Sequence, residues 1–267
     1  MARKLLLFFG HLLLVVVLTG LTQIGGLVWL LALLLVRLTG RQFRLATPAA
    51  FAGLYILSTF VLVPPLAASF GREPVAHSPT LRPANRMTVW LNRNYVRPEL
   101  NALLARTTER IAGTDLRINY LDANFPFFDG FPLPPHLSHN DGRKIDLSLV
   151  YETANGKVSL AQRSLSGYGV FVPPRPGETD QPARCAARGH WQYALTRYAR
   201  LWTINKNLRF SERGTKTLFN ALLADRNTGK ILIEPHLEQR LGLTHDRVRY
   251  HGCHAVRHDD HLHLQLR

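Results

Sequence analysis

Pro135-His136-Leu137-Ser138-His139-Asn140-Asp141-Gly142-Arg143-Lys144-Ile145-Asp146 is the stretch on which the reading of this chain turns. The residues that follow alternate, so Ile145, Leu147 and Leu149 fill a core while Asp146 and Ser148 face the other way. Asp146 is therefore offered from a strand. Gly142 allows the chain to turn and bring His139 back beside it. The C-terminal run His261-Leu262-His263-Leu264-Gln265-Leu266 alternates in the same way, which puts His261 and His263 on one shared face. Two imidazoles and one carboxylate on rigid strands make a three-ligand set. Zinc held by three protein ligands keeps a fourth position for water, as catalytic zinc does. Either half alone has a bland reading, since alternating strands often carry surface histidines.

The combination resembles a known pattern. The metallopeptidases grouped with lysostaphin, the D-alanyl-D-alanine peptidases and the hedgehog domain carry His-x(6)-Asp with an internal Gly, then His-x-His. Within that group this chain most resembles the penicillin-insensitive murein endopeptidases. The likeness covers His136, Ser138 to Asp146, the block Lys230-Ile231-Leu232-Ile233-Glu234-Pro235-His236-Leu237, and His258 to Leu266. These blocks lie in the family's order; between and before them there is little likeness. The resemblance implies zinc ligands His139, Asp146 and His263, and it places His136, His258 and His261 in the cleft as non-ligand or second-site histidines. Some members of the group place a general-base Glu three residues before the last His. Asp260 stands there in this chain, so proton transfer or oxyanion stabilisation passes to His261 or His258, which titrate near working pH. Asp259 and Asp260 either orient these rings or sit in a solvated turn.

The activity so implied is hydrolysis of a peptide bond in peptidoglycan stem peptides or cross-links by a zinc-activated water. A carboxypeptidase trimming a terminal D-alanine is the alternative within enzymes. A non-catalytic, zinc-containing wall-binding module is the alternative outside them.

The first 70 residues contain no Asp or Glu. Leu5 to Val36 is almost wholly apolar, and after a short basic gap Ala49 to Phe70 is apolar again. Runs of ~20 apolar residues cross the hydrocarbon of a bilayer, so residues 1–70 are expected to form a transmembrane anchor of two or three helices. Arg37, Arg41 and Arg44 in the gap favour the cytoplasm, as do Arg3 and Lys4. Either the N-terminus lies outside, or Leu5 to Val36 turns near Thr19-Gly20 and Gly25-Gly26 as a tight pair of short helices. His11 is read as an interfacial residue. The expected location is a bacterial inner membrane with the remainder of the chain on the periplasmic side.

Residues 71–95, with Pro74, Pro79 and Pro83, read as a linker, and residues 96–267 as one domain. Beyond the anchor stand 28 basic against 18 acidic residues, a net +10. That balance suits an anionic partner such as a cell-wall polymer; nucleic acid is disfavoured by the membrane segments and the lack of a binding motif. Pro98 opens a helical run ended by Gly113, and Leu116 to Leu121 alternates as a strand. Asn124 to Pro135 is an aromatic, proline-rich loop that serves as a lid over the core, a wall of the cleft, or both. From Tyr193 to Leu208 and from Gly214 to Ala224 the periodicity is helical, with Leu195, Tyr198, Ala199 and Trp202 on one stripe and Leu218, Ala221 and Leu222 on the other; both stripes read as core. Lys230 to Glu234 reads as a strand and His236 to Leu241 as a short helix. The fold expected is α+β, an antiparallel sheet carrying the ligands with helices packed on it. Cys185 and Cys253 suit one disulfide in a domain outside the membrane; a metal role with His251 and His254 is the competing reading.

Overall fold

A computed structural model describes residues 1–40, 43 and 45–267. Arg41 and Arg44, which the topology argument used, lie outside the described residues.

The N-terminal region is helical: α1 (Ala2–Thr22), α2 (Gly25–Leu38), and α3 (Ala46–Leu57), which runs through a wide turn at Ser58–Leu62 into α4 (Val63–Ala68). Ala2–Thr22 and Ala46–Ala68 are long and apolar enough to cross a membrane. α1 and α2 form a tight hairpin, turning at Gln23-Ile24. Its closeness explains Gly26: a Cβ there would stand 2.1 Å from the Thr19 hydroxyl and 2.6 Å from the Val15 carbonyl. With 14 residues, α2 is about 21 Å long, short of the ~30 Å hydrocarbon layer.

The rest of the chain is built on a six-stranded sheet. In chain order its elements are β1 (Glu73–Pro74), β2 (Leu81–Pro83), α5 (Met87–Trp90), β3 (Tyr95–Val96), α6 (Pro98–Arg110), β4 (Ile118–Tyr120), β5 (Lys144–Ser148), β6 (Tyr151–Glu152) and β7 (Val158–Ser159). Then follow α7 (Gln181–Ala187), α8 (Thr196–Ala199), β8 (Arg209–Phe210), α9 (Glu212–Leu223), β9 (Thr228–Leu232), α10 (Pro235–Leu241), β10 (Val248–Arg249) and β11 (His261–Leu266). The main sheet has the order β10-β9-β11-β5-β4-β2. Its four central strands are antiparallel, as expected, but both edges are parallel, β10 on β9 and β2 on β4. The sheet is thus mixed.

Residues 71–95 are a working part of this domain: β2 is an edge strand of the main sheet, and β1 pairs with β3. Proline at Pro74 and Pro83 fits edge positions, where a ladder donor is not required. Arg72, fully buried, donates to the carbonyls of Phe125, Phe127 and Asn140 and to Asp129, so the end of α4 is stitched to the aromatic loop.

α6 and α9 cover one face of the sheet. Leu100, Leu103 and Leu104 from α6 and Leu218, Phe219 and Leu222 from α9 bury against Ile145, Leu147, Leu262 and Leu264. Truncating any of these leucines to Ala is expected to cost about 2–5 kcal/mol. Tyr193 to Leu208, by contrast, is not one helix: a 3-10 turn at Trp191–Ala194 meets the single turn of α8, and Tyr198 and Trp202 point into solvent, 77% and 71% exposed. Helical spacing was present without a core for the stripe to meet.

Candidate metal centre

The site begins with strand register. β5 and β11 pair antiparallel with His263 opposite Asp146 and His261 opposite Ser148. On the far side of the sheet the same register sets Leu262 against Leu147 and Leu264 against Ile145, so the leucines that fill the core fix which polar residues meet; slipping by one residue would exchange them. Gly142, at φ +77°, makes the turn before β5. Its carbonyl accepts from the Arg97 backbone, and a Cβ at this position would stand 2.9 Å from the Arg97 side chain.

His136, His139 and Asp146 form a buried group whose ligand atoms all lie within 4.8 Å of one another, close enough to hold a metal ion. His263 shares the same ground. The His139 Nε2 atom is 3.0 Å from His263 Nδ1 and 3.1 Å from Asp146 Oδ1, and His263 Nδ1 is 2.9 Å from Asp146 Oδ1. Three ligands 2.0–2.2 Å from one tetrahedral ion stand about 3.3–3.5 Å apart, so this triangle is near the size such an ion requires. His139 Nδ1 sits 2.6 Å from the Ala123 carbonyl and donates to it, which turns the Nε2 lone pair toward the triangle. On its other oxygen Asp146 accepts from the Tyr168 hydroxyl at 2.8 Å and lies 2.9 Å from His136 Nδ1. Among the described residues, neither buried ring nitrogen of His136 has a hydrogen-bond partner of good geometry.

Electrostatics separates the histidines. Burial disfavours charge on His258 and, with the neighbouring imidazoles of His261 and His263, holds it neutral, far below the usual histidine range. Burial likewise lowers His263, to about 4, despite Asp146. His261 behaves oppositely: burial lowers it, but Asp146 and Asp260 outweigh burial and lift it to about 9, with Asp260 Oδ1 2.5 Å from its Nδ1. Asp146 is depressed well below the carboxylate range because the surrounding imidazoles His139, His261 and His136 outweigh its burial. The rings of His258 and His261 stand 4.8 Å apart beside the triangle, in a cleft of about 300 Å³ whose rim includes Leu137, Gln192 and His254.

Asp259 and Asp260 are both fully buried and structurally engaged, not solvated. Asp260 also accepts from the Gly169 backbone at 2.5 Å, and Asp259 pairs with the Arg257 fork; burial nevertheless lifts Asp259 to about 7 against that pull. Glu234 positions His258 by accepting from its backbone N–H at 3.0 Å, and it takes the Tyr193 hydroxyl at 2.5 Å. Cys185 and Cys253 form a disulfide, tying α7 to the segment that leads into His258. The aromatic loop is held by the Arg72 and Arg97 contacts to Asp129 and carries Phe127, whose backbone exchanges hydrogen bonds with Gln23 at the α1–α2 turn, 2.8 and 3.1 Å.

Sequence reading missed Arg93 and Asp122, and it placed Tyr168 in an irregular, substrate-binding excursion without tying it to Asp146. Tyr168 lies in a Gly-rich stretch without periodicity, and its tie to Asp146 carries no local signal. Arg93 and Asp122, a buried bidentate pair with two 2.8 Å bonds, support Pro134 and the loop bearing His136. They are separated by 29 residues, and only the fold brings them together. No family profile matches the chain, and no curated protein matches it.

Proposed function

We propose that this chain is a membrane-anchored zinc peptidase that hydrolyses peptide bonds in peptidoglycan stem peptides or cross-links. The observation that carries the reading is the triangle of His139 Nε2, Asp146 Oδ1 and His263 Nδ1, with 2.9–3.1 Å edges, at the base of an open cleft flanked by His258 and His261. These three residues are the zinc ligands of this account, and His136, on the other oxygen of Asp146, stays in the cleft. Bound zinc would supply Lewis-acid polarisation of the scissile carbonyl and a water acidic enough to act at neutral pH. Neutral His258, beside the triangle, would take the proton that such a water gives up. His261, whose Nδ1 lies 2.5 Å from Asp260 Oδ1, would stabilise negative charge on the carbonyl oxygen, and a proton carried on its ring would pass to the departing amine. Asp260 is thereby a positioning residue for His261, as Tyr168 is for Asp146.

The hairpin supports an outward-facing domain. Because α1 and α2 run in opposite directions, Arg3, Lys4 and Arg37 gather at one end, while Gln23 at the other end grips the aromatic loop. A basic end in the cytoplasm leaves the domain on the periplasmic side of a bacterial inner membrane, where a disulfide persists and where peptidoglycan lies. The net +10 beyond the anchor favours that anionic polymer.

The test is digestion of isolated peptidoglycan by the full chain in detergent, with muropeptides identified by mass. Cross-linked dimers should fall to monomers, and chelator or Asp146→Ala should reduce the rate about a thousandfold, the several kcal/mol a Lewis-acid metal contributes. Release of single alanines would move the activity to a carboxypeptidase. Stoichiometric zinc with nothing cut would leave a binding module.

A further inference from the structure

The apolar surface of the anchor continues past the hairpin. Along α3, the wide turn and α4, the side chains of Ile56, Leu57, Phe60, Val61, Leu62 and Leu66 are exposed, although Tyr55, earlier in the same helix, already donates to the carbonyl of Trp90 in the domain, at 2.7 Å. Domain residues therefore lie alongside a helix whose free face is still apolar. The exposed band passes onto the domain itself: Phe60 packs edge-on against Trp90 at 4.9 Å and Phe70 against Phe128 at 5.2 Å, with Met87, Trp90 and Phe128 open to solvent.

Between this band and β2 lies a groove of about 780 Å³. Its walls grade from apolar at Phe60, Val89 and Trp90 to cationic at Arg82 and Arg86. No Asp or Glu occurs from residue 74 to residue 98, and among the described residues neither arginine forms an ion pair. An apolar edge continuous with membrane helices, passing into guanidiniums that have no carboxylate partner among the described residues although Arg82 Nε donates to the Ser78 carbonyl, matches an amphiphile with an anionic head at the interface. Pro135 lines both the metal cleft and the cavity closed by Leu21 at the end of α1, so the cleft is held against the same boundary.

We propose that this groove binds the headgroup of an anionic phospholipid in the leaflet facing the domain, and that the domain rests partly sunk in that leaflet along Met87, Trp90 and Phe128. The inference rests on the membrane reading of the helices and is independent of the catalytic one. Its consequence is that the cleft works at the membrane surface.

The experiment is tryptophan quenching in the full chain, reconstituted into phosphatidylcholine vesicles doped with either brominated phosphatidylcholine or brominated phosphatidylglycerol. Two single-tryptophan chains are compared: one keeps Trp29, inside the anchor, and the other keeps Trp90, the remaining tryptophans being changed to Phe. Trp29 should be quenched by both lipids alike. Trp90 should also be quenched, and at least about five-fold more efficiently by the anionic lipid, the enrichment that ~1 kcal/mol from a single interfacial arginine produces. Arg82→Gln with Arg86→Gln should remove that excess and leave quenching by phosphatidylcholine unchanged. Quenching of Trp29 without Trp90 overturns the sunk domain, equal quenching of Trp90 by both lipids overturns the headgroup site, and unquenched Trp29 overturns the membrane reading beneath both.

Discussion

The strand pair β5–β11 and the stretch from Trp191 to Leu208 lie close to the same cleft and obey different rules. In the pair, nearly every side chain is buried, and the leucines of one face fix the register that sets His263 against Asp146 on the other. In the stretch, a 3-10 turn and one helical turn are followed by irregular chain, and Tyr198, Leu201 and Trp202 are exposed. Polar chemistry is legible in sequence where a hydrophobic period forces it onto one face. Where no sheet or helix lies opposite, the same spacing of apolar residues means nothing for packing, and order comes from long-range ties such as Tyr193 to Glu234 and Cys185 to Cys253.

Four changes probe that contrast, the largest first. Converting Cys185 and Cys253 together to Ser releases a 68-residue loop and should lower stability by about 2–4 kcal/mol, read as a fall in denaturant midpoint, while zinc binding at the strand pair persists. Loss of zinc along with the disulfide would show that the irregular stretch helps build the triangle. Tyr168→Phe removes one hydrogen bond from Asp146 and should weaken zinc affinity roughly 10- to 100-fold, measured by competition with a chromophoric chelator, with little change in melting temperature. An unchanged affinity would deny Tyr168 its positioning role.

The third change concerns acid. The Arg106 hydrogen bonds come first among the causes that hold Asp225 down to about 2, with the Asn227 backbone and Arg110 adding to them against burial. A carboxylate depressed from its unfolded value of ~3.9 stabilises the fold above about pH 4 and loses that contribution as pH falls toward 2. Screening at the half-exposed guanidiniums leaves about 1–2 kcal/mol. Asp225→Asn should therefore lower stability at pH 7 by that amount and flatten the decline between pH 4 and 2. The smallest effect is Trp202→Ala, expected within about 0.5 kcal/mol of the parent because the ring is exposed; a larger loss would restore the core reading of that stripe.

Much of the site could be read from spacing alone: the strand beneath Asp146, the shared face of His261 and His263, and the turn at Gly142; the disulfide between Cys185 and Cys253 follows instead from a domain placed outside the membrane, where a metal role was the competing reading. The parallel edge strand β2 could not, because residues 71–95 hold too few alternating positions and too many prolines to announce it. The hairpin was one of two options until the turn at Gln23 appeared; charge alone allowed either. Tyr168, Arg93 and Asp122 stayed hidden because buried polar ties between distant residues leave no periodic trace. His136 shows the remaining limit, since its neighbourhood to Asp146 follows from the cleft's shape and not from its place in the motif.

Zinc content of the purified full chain, compared among the parent, His263→Ala and His136→Ala, decides which residues hold the ion. One zinc per chain in the parent and in His136→Ala, with loss in His263→Ala, is the result expected if His139, Asp146 and His263 hold the ion. Absence of zinc from the parent, or loss with His136 and retention without His263, would contradict it.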